Sequence, residues 1–114
     1  MIKHKIVLVP FPFDDFSATK VRPAVCLTNT IGEYHHVIIA FISSKTPNIP
    51  AVSDIVIREN SDDFSITGLA VNSVVRLHRL VTIPKNLIKR QLGELSATQQ
   101  HAVNKKLKLM FELQ

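Results

Sequence analysis

The stretch "HVIIAFIS", residues 36–43, holds the longest apolar run of the chain, and the fold is best worked out from it. The six consecutive apolar residues at positions 37–42 are rich in β-branched side chains, which is typical of a strand that is buried on both faces. The run is far too short to span a membrane as a helix. We therefore predict that this segment is the central strand of a sheet.

Strand patterns also occur on both sides of this segment. Before it, "KIVLVPF" (residues 5–11) and "PAVCLTN" (residues 23–29) are rich in strand-forming residues. After it, "SDIVIRE" (residues 53–59) and "SVVRLHRLVTI" (residues 73–83) show the alternation of a strand. Segments containing Pro, Gly, Asp and Ser separate these runs and are predicted to be loops. The chain is thus predicted to contain about five strands.

The last third of the chain is predicted to be helical. Pro84 would open a short helix over "PKNLIKRQLG" that Gly93 would end. Ser96, with Gln99 three residues later, matches a capping box at the start of a second helix. Short strands and a closing helix predict one domain over residues 1–114, mainly β with a C-terminal helix, folded as a half-open barrel. The second helix would pack on the sheet through an apolar face made of Val103, Leu107, Met110 and Phe111.

The charge of the chain points to an anionic partner. Its 14 Lys and Arg residues outnumber 9 Asp and Glu residues, and between positions 76 and 108 eight basic residues face only Glu94. A nucleic acid, a membrane surface or an acidic protein would each suit this bias, and solubility alone is the alternative explanation. Cys26 lies in an apolar run and is expected to be buried and inert. With no signal-peptide pattern, we expect a soluble, cytoplasmic protein.

Polar residues at the ends of the predicted strands are the candidates for a functional site. Arg22 precedes the second strand, Ser43 to Lys45 follow the third, and Ser73, Arg76 and His78 lie along the fifth. A bent sheet can bring such positions together at one rim, where an Arg fork and a Ser hydroxyl could stabilise charge on a phosphoryl group. The alternative is simple decoration of strand ends. The three glycines form no phosphate loop, and the histidines show no metal-ligand spacing, so neither a metal nor a cofactor is expected.

Three segments in order carry a resemblance to a known family: "RPAV" (residues 22–25), "GLAVNSVVRLHRLVTI" (residues 68–83) and "PKNLIKRQLGELS" (residues 84–96). From about Lys5 to the last helix, the chain resembles the MazF/PemK/Kid family of toxins from bacterial toxin–antitoxin pairs. The resemblance implies a small SH3-like barrel that forms a homodimer. It also implies a sequence-specific endoribonuclease that acts on single-stranded RNA without a metal ion. The partner would be a cognate antitoxin with a flexible acidic segment.

The resemblance also assigns roles to residues. Arg22 would stabilise the phosphorane, and Ser43 would donate a hydrogen bond to a non-bridging oxygen while the RNA's own 2′-OH attacks. His78 stands where many relatives have an acid and could replace it as a general base. We expect RNA binding from Lys20, Ser44, Lys45, Ser73, Arg76 and Arg79, and stacking on Phe13 or Phe16.

The chain also departs from the family pattern. Many relatives begin the first strand with Gly-Asp, where this chain has His4 and Lys5, and the loop before Arg22 lacks the glutamate of some relatives. The missing acids keep one alternative open, a module of the same fold that binds RNA or DNA without cutting it. A second alternative is a gyrase-directed growth inhibitor, an activity of a related toxin fold, but Arg22 and Pro23 followed by the hydroxyl of Ser43 argue against it.

Overall fold

The computed structural model describes residues 1–10 and 20–114. Within these residues the chain forms six strands, two short 3-10 turns and one α-helix. The turns are Ser65–Thr67 and Lys85–Leu87, and the helix, α1, is Ala97–Met110. The strands are β1 (Lys5–Pro10), β2 (Val21–Cys26), β3 (His36–Ser43), β4 (Asp54–Ile57), β5 (Ser73–Pro84) and β6 (Arg90–Glu94).

The strands form one antiparallel sheet in the order β4-β5-β3-β2-β1-β6. β3 lies inside the sheet and pairs with β2 on one edge and with β5 on the other. The prediction that residues 36–43 form a central strand is therefore confirmed. The mainly β architecture with a C-terminal helix is confirmed as well, as a half-barrel of six strands.

Both faces of the sheet are buried, which explains the unbroken apolar run in β3. Alternate residues of this strand enter two different cores, with Ala40 and Ile42 in one and Val37 and Ile39 in the other. The first core also contains Val103 of α1, which is completely buried. The second core contains Ala24 and Cys26 from β2 and Val7 and Val9 from β1. A strand that serves both cores has no position for a solvated polar residue until it reaches its end.

The start of α1 is fixed by the predicted capping box. The Ser96 hydroxyl accepts a hydrogen bond from the Gln99 N–H at 3.0 Å, and Gln99 Oε1 accepts one from the Ser96 N–H at 2.8 Å. The Ser96 hydroxyl also donates to Asp63 Oδ2 at 2.6 Å, which ties the connection before β5 to the helix. This hydrogen bond lowers the pKa of Asp63 below its ordinary value.

One side of α1 is basic, as predicted, but one of its lysines turns inward. Lys105 and Lys108 are exposed. The Nζ of Lys106 instead donates to the backbone oxygen of Asp54 at 2.8 Å. This bond connects the helix to the first residue of β4.

The helix predicted over "PKNLIKRQLG" is wrong. Pro84 ends β5, a 3-10 turn follows, and Arg90–Glu94 forms β6 on the outer edge of β1. Gly93, which we expected to stop a helix, pairs with Ile6 in this strand. A Cβ at position 93 would collide with the backbone of Ile66 and Thr67, so glycine is needed there for close approach. The edge of β1 therefore overrides the local helix signals, and the strand count rises from about five to six.

Candidate functional site

A break in the pairing of β3 with β5 shapes the rim of the sheet. Ala40 pairs with Leu80 and Ile42 pairs with Val75, so the four residues 76–79 stand opposite the single residue Phe41. An excess of residues on one strand bends that strand and redirects its side chains. In this way Arg76 and Arg79 both reach the same cavity at the ends of β2 and β3.

This cavity, which we call the arginine pocket, has a volume of about 210 Å³. Phe41 and Ile42 form its apolar part. Four of its lining side chains are cationic, and no carboxylate is found among the described residues that line it. Such a cavity favours an anion with several oxygen acceptors. The structure thus brings together six of the predicted site residues, namely Arg22, Ser43, Ser44, Lys45, Arg76 and Arg79.

Arg22 and Ser43 reach the arginine pocket from neighbouring strands. Arg22 is the second residue of β2 and pairs with Val9 of β1, and Pro23 follows it with a fixed φ. Ser43 is the last residue of β3, and its Oγ accepts a hydrogen bond from the Lys45 N–H at 3.0 Å. This bond positions the serine oxygen and leaves its O–H proton able to donate.

A second cavity adjoins the first. We call it the apolar pocket, and its volume is about 370 Å³. It shares Arg22, Ile42 and Ser44 with the arginine pocket. The rest of its wall comes from Pro23, residues 68–71, Ser73, Arg90 and Leu92.

Two residues of the apolar pocket bear on the sequence-based predictions. Ser73 lies here and not in the arginine pocket, and its buried hydroxyl donates to the Val71 carbonyl at 2.8 Å. Arg90 is not among the predicted site residues, because the sequence predicts its segment to be a helix. The one sequence feature that indicates Arg90 is its position among the basic residues of the C-terminal third.

His78 and Lys20 line neither of these two cavities. His78 is exposed, and its Nδ1 lies 2.8 Å from the hydroxyl of Ser53. Lys20 is exposed directly before β2. Phe13 and Phe16, the predicted stacking residues, lie outside the described residues.

Three further observations concern chemistry elsewhere in the molecule. Burial raises the pKa of the Cys26 thiol to about 11, so this cysteine is inert, as predicted. Within residues 1–10 and 20–114, no group of three or more His, Cys, Asp and Glu side chains is arranged to hold a metal ion. In the same part of the chain, no helix has the length and apolarity needed to cross a membrane.

Solved structures share this fold. The Mycobacterium tuberculosis toxin MazF-mt6 is 24% identical and superposes with a TM-score of 0.71, covering 96% of this chain and 98% of that chain. An endoribonuclease from mycobacterial species, solved in complex with its cognate antitoxin, is 14% identical with a TM-score of 0.72, covering 100% and 97%. An Mtb toxin is 26% identical with a TM-score of 0.61, covering 77% and 90%.

The sequence itself matches a family model over residues 3–111, which is nearly its whole length. No curated protein matches the chain. The family model describes the PemK-like, MazF-like toxins of type II toxin–antitoxin systems. The match agrees with the segments that carry the resemblance in the sequence, all of which fall inside it. The chain therefore belongs to the PemK-like, MazF-like family of toxins of type II toxin–antitoxin systems.

Proposed function

We propose that this toxin is a sequence-specific endoribonuclease that cleaves single-stranded RNA without a metal ion. The observation that carries the proposal is the arginine pocket, where three arginines, one lysine and two serines converge. The fold supports it as well, because the similar structure solved with its cognate antitoxin is described as an endoribonuclease. The toxin would act in the cytoplasm, where its substrate is found.

Binding of the RNA backbone follows from the charge of the arginine pocket. A guanidinium presents several N–H donors in a fixed plane, which matches two oxygens of one phosphate. Arg22, Arg76 and Arg79 would hold the scissile phosphate and its neighbour, with Lys45 adding charge at the rim. Because phosphate binding releases counterions, affinity should fall steeply as salt rises.

The chemical step uses a nucleophile within the RNA. The 2′ oxygen attacks the adjacent phosphorus while the bond from phosphorus to the 5′ oxygen breaks. The 2′-OH loses a proton and the leaving 5′ oxygen gains one, so the products are a 2′,3′-cyclic phosphate and a 5′-OH. Negative charge grows on the non-bridging oxygens, where Arg22 and the Ser43 O–H would stabilise it. His78 lines neither cavity, so it can accept the 2′-OH proton only where the bound RNA extends along β5 beyond the arginine pocket.

The regulation of this toxin would rest on the same pocket. A flexible acidic segment of a cognate antitoxin would compete with RNA for the cationic side chains. One of the similar structures is a complex with its cognate antitoxin, which supports a partner of this kind. A stable complex with the product of the neighbouring reading frame, and rescue of growth on co-expression, would be the expected result.

We also propose that the toxin is a homodimer. Leu109 in α1 and, just beyond the helix, Phe111 and Leu113 are large exposed apolar side chains that a second copy could cover. Phe111 therefore does not pack on the sheet as predicted. β3 is paired on both edges and is mostly buried, so it offers little free surface to a second copy. A sedimentation mass near that of the 12.8 kDa monomer at micromolar concentration would contradict the dimer.

The test of the proposed function is a cleavage assay on a long single-stranded RNA. We expect cleavage to persist in EDTA and to leave cyclic or 3′-phosphate and 5′-OH ends. A substrate with 2′-deoxyribose at the cut nucleotide should bind and stay intact. Cleavage only with added Mg²⁺, or equal cleavage of the deoxy substrate, would refute the mechanism. RNA that is bound but never cut would favour the non-cleaving module, and inhibition of supercoiling would favour the gyrase-directed activity.

A further inference from the structure

The apolar pocket has a wall that is fixed by backbone contacts of its own, separate from the arginine pocket. Gly68 lines one wall of it, and Gly68 and Gly93 together let the turn at residues 65–67 lie directly against β6. Gly68 has a φ of 71°, and a Cβ there would collide with the backbone of Leu92. A Cβ at Gly93 would collide with the backbone of Ile66 and Thr67 in the same turn. The wall is therefore fixed by backbone contact rather than by mobile side chains.

The wall is also held by buried hydrogen bonds. The hydroxyl of Thr67, which is completely buried, donates to the Phe64 carbonyl at 2.6 Å and accepts from the Leu69 N–H at 3.2 Å. At the other end of the loop, Ser73 holds the Val71 carbonyl. Residues 69–71 are thus fixed at both ends, so the cavity is organised before any ligand arrives.

The lining of the apolar pocket suits a flat group with a polar edge. Six of its eleven lining residues are apolar. The amide N–H groups of Ala70 and Val71 donate to no other group in the described part of the chain. Arg90 is exposed, and its guanidinium makes no ion pair or hydrogen bond to a described residue. The lining thus combines apolar side chains with one guanidinium and with Ala70 and Val71, whose amides bond to no described residue.

The position of the apolar pocket points to one occupant. It shares Arg22, Ile42 and Ser44 with the arginine pocket, so a ligand can extend from one cavity into the other. A nucleotide is such a ligand, because its anionic phosphate is joined to a planar, weakly polar base. Unpaired bases are commonly recognised by stacking on guanidinium planes and by hydrogen bonds to their edges. An acidic peptide would suit the first cavity but would gain little from the apolar walls of the second.

We propose that the apolar pocket binds one unpaired nucleobase adjacent to the scissile phosphate. In it, Arg90 stacks on the base, and the Ala70 and Val71 amides contact its edge. This inference rests on the proposed function and names the part of the toxin that selects sequence at one position. Arg90 is then a specificity-determining residue and takes no part in the chemistry.

The test measures binding alone, so that it does not depend on cleavage. Short single-stranded RNAs with 2′-fluoro sugars, which lack the nucleophile, are selected for affinity to the wild-type protein. Each position of the selected RNA is then replaced in turn by an abasic residue. We expect one position at which the abasic residue raises Kd by roughly tenfold or more, the size of one lost base-stacking contact. This increase in Kd is the abasic penalty.

Two protein variants locate that position in the structure. Val71→Phe fills the apolar pocket, and its matched control, Val52→Phe, adds the same ring at an exposed residue outside both cavities. Arg90→Gln removes the cationic plane, and its control, Lys89→Gln, removes a charge next to it that lines neither cavity. The abasic penalty should disappear in Val71→Phe and shrink in Arg90→Gln, and it should persist in both controls.

Other outcomes separate the two proposals. An abasic penalty that is unchanged in both Val71→Phe and Arg90→Gln would overturn the base pocket, even if the wild-type protein cuts RNA. A penalty that disappears as expected would support the pocket even if unmodified RNA stays uncut, and only the cleavage proposal would then fail. Tighter binding of an acidic peptide than of RNA, lost in Val71→Phe, would instead assign the pocket to the antitoxin.

Discussion

The hydroxyl of Ser53 lies 2.8 Å from Nδ1 of His78, across the pairing of β5 with the segment that leads into β4. The same two segments are joined by a hydrogen bond from the Leu77 N–H to the Ser53 carbonyl at 3.0 Å. The Ser53 hydroxyl therefore orients the imidazole, and the backbone bond to Leu77 holds Ser53 in place. If Nδ1 carries the proton and donates to Ser53, then Nε2 keeps a free lone pair that can accept a proton.

This geometry leads to a prediction for His78. If it is the general base, His78→Ala should abolish the fall in cleavage rate on the acidic side of the pH profile, because a protonated imidazole can no longer act as a base. Ser53→Ala should lower the rate less, because it frees the ring without removing it. The measurement is the cleavage rate across pH, with His101→Ala, on the exposed side of α1, as the control. An unchanged profile in His78→Ala would assign the histidine a structural role.

Arg22→Ala should reduce cleavage more than Ser43→Ala. The arginine supplies a charged fork of several donors, whereas the serine supplies one neutral hydrogen bond. Losing one donor to a developing oxyanion costs on the order of 3 kcal/mol, or about a hundredfold in rate. Single-turnover rates measure this, with Arg58→Ala, an exposed arginine outside both cavities, as the control. A larger loss for Ser43→Ala would reverse the proposed division of roles.

Stability should depend on pH through Asp63. Its pKa is lowered in the folded protein by the hydrogen bond from Ser96. The carboxylate therefore stabilises the fold above its pKa in the unfolded chain, and this contribution is lost as the pH falls through its lower folded value. Asp63→Asn should lower Tm at neutral pH by roughly 2–5 °C, and the difference should shrink in acid. Thermal unfolding at several pH values checks this, with Asp62→Asn as the control, and a difference that persists in acid would contradict it.

Gly93→Ala should destabilise the fold strongly. The added methyl group would meet the backbone of Ile66 and Thr67, which cannot move aside as a flexible side chain would. Overpacking of this kind costs about 1–3 kcal/mol. Gly32→Ala is the comparison for strain without collision, because a Cβ there meets no atom within 4 Å while its φ of 75° costs about 1–2 kcal/mol. Denaturant unfolding measures both, and an equal loss in the two variants would show that close approach is not the reason for Gly93.

The sequence predicts an element correctly where its local pattern and its tertiary contacts favour the same structure. The apolar run of β3 and the capping box of α1 are both found where their residues predicted them. The prediction failed at β6, because Pro84 and Gly93 give correct local signals for a helix while the free edge of β1 takes the same residues into the sheet. No periodicity in one segment reveals that another segment has an edge to fill.

In the candidate site as well, some features can be predicted from the sequence and others cannot. Strand ends can be recognised in the sequence, so it identifies Arg22, Ser43 and their neighbours, which the structure brings together. The break opposite Phe41 could not be found, because a change of register is a property of two strands and leaves no mark on either one. Arg90 could not be placed at the site either, because the sequence predicts a helix where β6 forms.

The register break also leaves part of β5 without pairing to β3. Val75 and Leu80 hold the ladder with β3 on either side, while His78 and Arg79 between them are exposed and have no partner position on that strand. Substitutions at such solvent-facing positions usually change stability by no more than about 0.5 kcal/mol. The rim of the site can therefore change its side chains while the barrel beneath it stays the same. Under the proposed function, a toxin built in this way can acquire a new RNA preference while its fold stays unchanged.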